Sequence, residues 1–395
     1  MRYLISGYYG EKNAGDEAIL VGILQEIGLR DPNAGFTVLS FDPDDTERRH
    51  GVGHELVAMS TSLRSPTRLR AAMRSADLLV SGGGSFLHEA DFELHGRSFL
   101  FREGKLRPIP YFLSIVFMAR AQGLPVMWYA QGLGPLHTLA ARRLVAKAAS
   151  ASQAVTWRDY DSARLAYEIG VRGPVQQVVP DPAYSLKPAP AAEAQDLLGR
   201  LGMAAGTRYL AVCPRPWLGR SAYLGSLGQA LEKAAAELDV EVLLVPFHQV
   251  QDPPVCEALA ARPGFAGRAR ALPAVTSPAL LAAILGGAEL VVAMRLHSGI
   301  LAATAQTPAV IIDYDPKTRA FAAQTGQGPW AVAIDRLEGG SAQATLLEAI
   351  KDTMAALPAR RAALARAVAP LQADAGRTAG LAVQIASAGD VWAAE

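Results

Sequence analysis

Short apolar runs alternate along the chain with longer stretches whose apolar positions recur every three or four residues. Arg2–Gly7, Phe36–Phe41, Ala76–Gly84, Pro125–Gly132, Ala154–Asp159 and Val175–Tyr184 read as strands, with helical patterns between them. The first helix is expected over Asp16–Ile27, with Asp16 as its N-cap. Lys187–Ala192, a Pro/Ala segment, then reads as a linker, followed by a short helix around Ala194–Leu201. The alternation restarts with Arg208–Pro216, a helix through Leu231–Leu238, Val240–His248, a helix from Pro254, Glu289–Met294, a helix from Ser298, and Pro308–Asp315. From Ser341 onward the pattern is helical and interrupted at Pro358.

Strands alternating with helices of this length indicate βαβ units and parallel sheets. The expected fold is therefore α/β, with two Rossmann-like domains facing a central cleft. Residues 1–187 form the first domain, 188–205 a linker and short helix, 206–355 the second domain, and 356–395 C-terminal helices free to pack back on the first. In open parallel sheets ligands bind beyond the carboxyl ends of the strands, so the loops at those ends are where chemistry is sought.

Composition narrows the classes. The 395 residues are half hydrophobic, enough for two cores. Lys+Arg 38 against Asp+Glu 37 leaves a net charge of +1, so no basic field points to nucleic acid. Two distant cysteines, Cys213 and Cys256, without a CxxC pattern, read as reduced thiols. No HExxH, Cys/His cluster or EF-hand loop suggests a metal, and no GxSxG nucleophile elbow is present. No apolar stretch approaches the ~18 residues that span a bilayer, and Met1 leads into no charged n-region with a long apolar core. The expectation is a cytoplasmic protein, with peripheral contact at the inner face of the membrane as an option.

Four loops of the first half stand out. Gly7–Leu20, GYYGEKNAGDEAIL, runs from a strand end into a helix start. It offers Asn13, Asp16 and Glu17, although it is neither a Walker A loop nor a GxGxxG turn. Ser81–Leu87, SGGGSFL, places Gly82, Gly83 and Gly84 in succession with Ser81 and Ser85 beside them. Three glycines let backbone approach a ligand closely. Gln131 in QGLGP ends the next strand and belongs on the same rim. Phe99–Ala121 mixes aromatics with Arg102, Lys105, Arg107 and Arg120 around an apolar helix, which reads as a buried helix or as one lying against lipid headgroups.

In the second half, cations and histidines recur at strand ends. Arg215 sits in CPRPW, His248 and Asp252 in PFHQVQD, and Arg295 and His297 in MRLHSG. A parallel sheet opens all three loops on one rim, and so forms an anion site. The helix starting at Ser298 and Gly299 adds its N-terminal donors, and Leu296 adds its backbone. An arginine fork suits a carboxylate or phosphate. A histidine adds a proton that moves near neutral pH, so the set points to chemistry on a small anion. Asp181 reads as a strand end at the interdomain hinge. Asp313 and Asp315 are placed to orient an arginine or meet ligand, with Lys317 and Arg319 adding charge.

Taken in order, GYYGEKNAGDEAIL, SGGGSFL, QGLGP, TWRD, PDPAY, CPRPW and MRLHSG resemble the polysaccharide pyruvyl transferase family, specifically its bacterial CsaB-type members. The resemblance implies a fold similar to GT-B glycosyltransferases. It also implies transfer of a pyruvyl group from phosphoenolpyruvate to a sugar as a 4,6-ketal, with no cofactor. The implied acceptor is a lipid-linked, N-acetylmannosamine-containing intermediate of a secondary cell wall polymer of the kind that anchors S-layer proteins. On this resemblance the first domain takes the acceptor and the second the phosphoenolpyruvate. Arg295, Leu296 and His297 match the family's phosphoenolpyruvate motif, and Arg215 its upstream arginine. His297 is then the acid or a phosphate-side donor, Arg295 and Arg215 are anion clamps, and Asp16 or Glu17 is a candidate base. A GT-B glycosyltransferase using a nucleotide sugar is the alternative, and a non-catalytic anion-binding scaffold of envelope assembly is a third.

Overall fold

The computed structural model describes residues 1–51, 53, 55–60, 66–89, 101–102, 105–217, 219–275, 277–339 and 342–388. The chain divides into two compact units. Unit 1 holds Met1–Glu11, Ile19–Ser185 and Asp374–Glu395; unit 2 holds Lys12–Ala18 and Leu186–Ala373.

Unit 1 begins with β1 (Arg2–Ser6), α1 (Ala14–Arg30), β2 (Gly35–Ser40), α2 (Pro43–His50), β3 (Glu55–Ser60), α3 (Pro66–Ser75) and β4 (Leu78–Leu87). The two-stranded ribbon β5 (Phe101–Arg102) and β6 (Lys105–Leu106) follows, then α4 (Pro108–Ala121), β7 (Val126–Leu133), α5 (Leu139–Ser150), β8 (Ala154–Trp157), α6 (Tyr160–Glu168) and β9 (Val175–Val178). The seven-stranded sheet has the order β3-β2-β1-β4-β7-β8-β9, and its pairings are parallel. Side chains cap the helices locally: Thr138 accepts from the Ala141 N–H at α5, and Asp159 from the Ser162 N–H at α6.

Unit 2 repeats the plan with α7 (Ala191–Arg200), β10 (Tyr209–Cys213), α8 (Ala222–Leu238), β11 (Glu241–Leu244), α9 (Pro253–Ala260), β12 (Ala269–Ala271), α10 (Pro278–Gly286) and β13 (Leu290–Ala293). It continues through α11 (Leu296–Thr304), β14 (Ala309–Asp313), α12 (Pro316–Gln324), β15 (Val332–Ala333), α13 (Ala342–Ala355) and α14 (Leu357–Ala375). Its six strands run in the order β12-β11-β10-β13-β14-β15, also in parallel pairs. β10, β13 and β14 are buried throughout, so they read in sequence as continuous apolar runs. The last helix, α15 (Arg377–Ala388), belongs to unit 1, where Ala379, Ala382, Ile385 and Ala386 join a core with Ile5, Val80 and Met127.

Three boundaries differ from the sequence expectation. α1 starts at Ala14, not Asp16, because Asn13 supplies the cap: its Oδ1 accepts the Gly15 N–H at 3.2 Å. Asp16 is therefore inside the first turn, and that turn clusters with unit 2. α14 was expected to leave with the returning tail, yet it stays with unit 2 through Ala373, where Arg361 donates to the Ala288 carbonyl at 3.3 Å.

α4 is a core helix. Ile109, Phe112, Leu113, Ile115, Val116 and Ala119 are buried, with Phe112 packed on Phe86 at a ring separation of 4.2 Å. The apolar face that the membrane-facing alternative for Phe99–Ala121 requires is thus spent inside unit 1. Phe99, Leu100, Glu103 and Gly104 of that segment lie outside the described residues. Among the described residues no helix is long and apolar enough to cross a membrane. Cys213 and Cys256 are buried free thiols.

Candidate active site

In unit 2 the carboxyl ends of β10, β11 and β13 carry the groups of interest. Arg295 follows β13 as the N-cap residue of α11. Its Nε donates to Asp252 Oδ2 at 2.8 Å and one Nη to Oδ1 at 2.5 Å, a bidentate pair with Asp252 fully buried and Arg295 9% exposed. Asp252 also accepts the backbone N–H groups of Phe247 at 3.0 Å and His248 at 2.8 Å, so one carboxylate fixes both the loop after β11 and the arginine after β13. Arg295 is therefore held by its own counter-ion rather than standing as the open anion clamp the sequence suggests. Only the guanidinium donors beyond that fork can meet a substrate.

His248 turns its Nδ1 toward the N–H groups of Val250 and Gln251, at 3.2 and 3.3 Å, so that nitrogen is an acceptor and the proton of the neutral ring sits on Nε2. Burial, reinforced by the Arg295 and Arg215 charges, holds its pKa below the ordinary histidine value. Those two charges act on the same imidazole, so Arg215, His248 and Arg295 do converge.

Arg215 is the less committed cation. Its Nη1 donates to the Tyr314 hydroxyl at 3.0 Å, and its guanidinium lies 4.9 Å from the Trp217 ring and 5.3 Å from the Tyr314 ring, which themselves meet edge-on. Tyr223 donates to the Arg215 carbonyl and steadies the loop. No carboxylate forms an ion pair with Arg215 among the described residues, so its charge is available to an anion.

The segment Lys12–Ala18 completes this group. Asn13 pairs with His248 as an antiparallel bridge, Ala14 N–H donates to the Phe247 carbonyl at 2.8 Å, and Gln249 N–H donates to the Lys12 carbonyl at 2.9 Å. This strand-like contact brings the start of α1 onto His297. A Cβ on Gly15 would fall well inside contact distance of His297 Nδ1, so only glycine lets the imidazole sit there. Asp16 is next along, its Oδ2 accepting from Asn13 Nδ2 at 2.6 Å. Burial pushes the Asp16 carboxyl up to about 6, against the opposing pull of His297, with Glu17 adding to the rise and Lys317 opposing it. A carboxyl that titrates near neutrality beside a histidine is suited to proton transfer. Glu17 itself is 2% exposed.

The remaining residues named on this rim turn out to be structural. The Ser298 hydroxyl is buried and donates to the Arg295 carbonyl at 2.6 Å, while the Ser298 and Gly299 N–H groups close onto the same carbonyl at 3.0 and 3.4 Å. In this arrangement both residues turn their donors onto the first turn of α11, so what they present to an anion is the positive end of that helix. Gly299 instead admits Phe321, whose ring would lie 2.6 Å from an added Cβ. Leu296 is buried at 8% exposure. Asp313 accepts from Arg319 Nε at 2.8 Å and Thr318 Oγ1 at 3.0 Å, and Asp315 caps α12 with a reciprocal capping box that leaves Lys317 3.4 Å from its carboxylate.

Unit 1 gathers the other motif residues. Gly82, Gly83 and Gly84 lie inside β4, the last two at φ +55° and +88°, and Gly83 leaves room for Ile19 rather than for a loop ligand. The Gly82 carbonyl accepts from the Tyr9 hydroxyl at 3.0 Å. Gln131 is fully buried, with Nε2 donating to the Gly84 and Gly132 carbonyls at 3.0 and 2.9 Å; it locks the two strand ends together, and its Oε1 has no hydrogen-bond partner. Ala130 before it takes φ +47°, where the β7–β8 register shifts. Ser85 accepts from Arg158 at 2.5 Å, and Arg158 pairs with Asp181 at 3.2 Å, with Arg158 and Asp181 buried and Ser85 half-buried. Asp181 is thus a partner of Arg158 as well as a strand end.

Sequence reasoning placed Asp252 on the rim but missed it as the counter-ion of Arg295, because the two lie in loops 43 residues apart. It also missed Trp217 and Tyr314 as the aromatic frame of Arg215, though Trp217 ends CPRPW and Tyr314 lies in the strand pattern Pro308–Asp315. Among the described residues no three His, Cys, Asp or Glu side chains cluster as a metal site would need.

Solved structures share this architecture at low sequence identity. The structure of Anabaena Alr3699/HepE in complex with UDP-glucose matches with TM-score 0.57 and 14% identity over 98% of each chain. The UDP-GlcNAc 2-epimerase from Neisseria meningitidis bound to UDP-GlcNAc matches with TM-score 0.60 and 11% identity, over 97% of this chain and 99% of that one. An α,α-trehalose 6-phosphate synthase from Burkholderia multivorans matches with TM-score 0.56 and 10% identity over 99% of each. Such likenesses establish the fold, two parallel-sheet α/β domains of GT-B type. The family model for polysaccharide pyruvyl transferase matches residues 13–316, from Asn13 beside His248 to the start of α12. This chain belongs to the polysaccharide pyruvyl transferase family.

Proposed function

We propose that this chain transfers the pyruvyl group of phosphoenolpyruvate to a sugar as a 4,6-ketal, releasing phosphate, in the manner of CsaB-type members. The acceptor is a lipid-linked, N-acetylmannosamine-containing intermediate of a cell wall polymer that anchors S-layer proteins, and the work is done in the cytoplasm. The observation that carries the reaction is the cluster of unit 2: an unpaired Arg215, an ion-paired Arg295 and His297 beside an Asp16 that titrates near neutrality.

Phosphoenolpyruvate bears a carboxylate and a phosphate on one vinyl carbon. Arg215 meets one anion, and the Arg295 donors beyond the Asp252 fork, with the N-terminal end of α11, meet the other. His297 protonates the methylene carbon, and the neighbouring carbon gains oxocarbenium character. A sugar hydroxyl adds there and gives up its proton, with Asp16 as the acceptor at hand. The carbon–oxygen bond to phosphate breaks, and the second hydroxyl closes the ketal as its proton passes to the departing phosphate. Donor, diol, ketal and phosphate balance without a redox partner.

A second reading, a GT-B glycosyltransferase using a nucleotide sugar, is favoured by the UDP-sugars bound in two structural relatives. One experiment separates the two. The protein is heated with phosphoenolpyruvate or with UDP-sugars, and phosphate release is then followed with an N-acetylmannosamine-containing disaccharide-lipid acceptor. Stabilisation by phosphoenolpyruvate and acceptor-dependent phosphate release support pyruvyl transfer. Stabilisation by UDP-sugars alone overturns it, and phosphoenolpyruvate binding without release under any acceptor leaves a non-catalytic anion-binding protein.

A further inference from the structure

In unit 1, α3 and α5 each pack against α4, and all three cover one face of the sheet. Leu69 and Met73 of α3, Phe112 and Val116 of α4, and Ala141 and Val145 of α5 enter a single core there. Gln122, just past α4, donates to Met73 Sδ of α3 at 3.0 Å. The inner sides of the three helices are therefore committed, and their outer sides form one continuous layer of surface.

That layer carries charge of one sign. α3, PTRLRAAMRS, holds Arg68, Arg70 and Arg74, and α5, LAARRLVAKAAS, holds Arg142, Arg143 and Lys147; all six are exposed. Arg120 in the last turn of α4 adds a further cation. None of the chain's 37 Asp and Glu lies on any of these helices, although the chain as a whole is balanced to +1. Among the described residues none of these cations forms an ion pair; Arg120 and Arg142 donate only to the Leu124 and Leu136 carbonyls. The carboxylates that come near are engaged. Glu89 is buried, accepting the His137 and Thr138 N–H groups ahead of α5, and Asp77 after α3 accepts the Arg2 N–H of β1. Other exposed arginines meet a carboxylate three or four residues away, as Arg164 does with Asp161, Arg200 with Asp196 and Arg377 with Asp374. Here the same spacing sets like charges together: Arg70 with Arg74, and Arg143 with Lys147, an arrangement that repels along each helix. An anionic partner relieves that repulsion.

We infer that the α3–α4–α5 face docks on an anionic lipid membrane surface. Interaxial distances of about 8–10 Å put α3 and α5 roughly 20 Å apart across α4, so the positive field extends in two dimensions, as a layer of headgroups does. Between the two rows α4 shows half-buried Phe117 and Met118, apolar groups that suit the headgroup region better than a polynucleotide backbone. The contact is electrostatic and shallow, since the apolar face of α4 is spent in the core. A lipid-linked acceptor gives this face a use in the proposed reaction, but the charge pattern stands without that reading.

The probe is co-sedimentation of the full chain with vesicles of equal parts phosphatidylglycerol and phosphatidylcholine, against vesicles of phosphatidylcholine alone. At low salt the anionic vesicles are expected to bind about tenfold more strongly or better, and salt of about 0.5 M to remove the preference. One cation at such a surface contributes about fivefold. Arg70→Glu with Arg74→Glu, and separately Arg142→Glu with Arg143→Glu, should each lower binding by about tenfold or more. Arg200→Glu with Arg268→Glu changes two exposed arginines of unit 2 by the same charge and should leave binding nearly unchanged. Circular dichroism checks that each variant is folded; should one helix fail, the other reads the same face. Equal binding to both vesicles, parental binding by a folded α3 or α5 variant, or an equal loss in the unit 2 control would overturn the assignment. Tighter binding of duplex DNA than of anionic vesicles at the same salt would also overturn it, giving the face to a polynucleotide. Phosphate release with a soluble disaccharide acceptor should be unchanged in the α3 and α5 variants, so failure of docking and failure of the proposed reaction are read separately.

Discussion

Asp16 allows the site to be tested through stability as well as through rate. Its carboxyl is raised from an ordinary value of 3.8 to about 6, mainly by burial. A raised acid means that the folded chain keeps a proton which the unfolded chain has already released. Stability from this group is thus greatest below pH ~4, declines as pH rises to ~6, and is level above that. Two pH units correspond to a cost of about 3 kcal/mol at neutral pH, a net figure in which the opposing pull of His297 and Asn13 is already included. Asp16→Asn removes the charge, keeps an oxygen for the 2.6 Å contact with Asn13, and leaves the volume unchanged. The variant should therefore be more stable than the parent by about 1–2 kcal/mol at pH 7.5, with the difference fading toward pH 4. Urea unfolding at the two pH values measures this, and phosphate release measures the expected fall in turnover of ~10²-fold or more. A variant that is less stable than the parent at pH 7.5, or whose advantage is the same at both pH values, would refute the assignment of a buried, destabilised carboxyl. Gain in stability with loss of activity is the signature of a residue kept for function.

The other expectations concern its neighbours. His297→Ala should cut turnover by ~10²–10⁴-fold with the fold intact by circular dichroism, and wild-type turnover would remove His297 from the proton transfer. Gly15→Ala should lower turnover by displacing the imidazole from beside Asp16, and kinetics equal to the parent would show that the ring tolerates the methyl. Asp252→Ala strands the buried Arg295 and two backbone donors and should cost about 3–5 kcal/mol in urea unfolding; a loss below ~1 kcal/mol would show the pair to be dispensable. Arg215→Lys keeps the charge but loses the planar stack on Trp217 and Tyr314, so the KM for phosphoenolpyruvate should rise several-fold with kcat less affected, and an unchanged KM would contradict its anion role.

Much of this architecture is legible from sequence because the central strands β1, β4, β7, β10, β13 and β14 are buried along almost their whole length and are apolar at most positions. β3 and β12 lie at sheet edges, where half-exposed and charged side chains erase that signal; Glu55–Ser60 and Ala269–Ala271 are missing from the strands expected from sequence for this reason. The motif loops were legible as places, since glycine, proline and a cation at a strand end mark a rim. Their roles were less so. Three glycines in β4 look like a ligand cradle, yet Gly83 accommodates Ile19, and Gly82 and Gly84 spend their carbonyls on Tyr9 and Gln131. Sequence spacing does not say which buried neighbour takes the room that a missing Cβ leaves.

The hardest inference is the pairing of groups far apart in the chain, and here it decides the electrostatics. Arg295 and Asp252 are 43 residues apart and meet only because β11 and β13 flank β10. Read alone, MRLHSG presents a free guanidinium; folded, that guanidinium is bound by a buried carboxylate, and the pair carries no net charge. Attraction for an anion then falls on Arg215, on the donors Arg295 retains and on the start of α11. In the proposed reaction the proton transfers fall to His297 and Asp16, brought together because Lys12–Ala18 pairs with the loop after β11 and Gly15 offers no side chain. Fixing Arg295 by its own counter-ion costs positive field but holds the fork in one orientation before substrate arrives, which is the preorganisation that a charge-stabilised transition state needs.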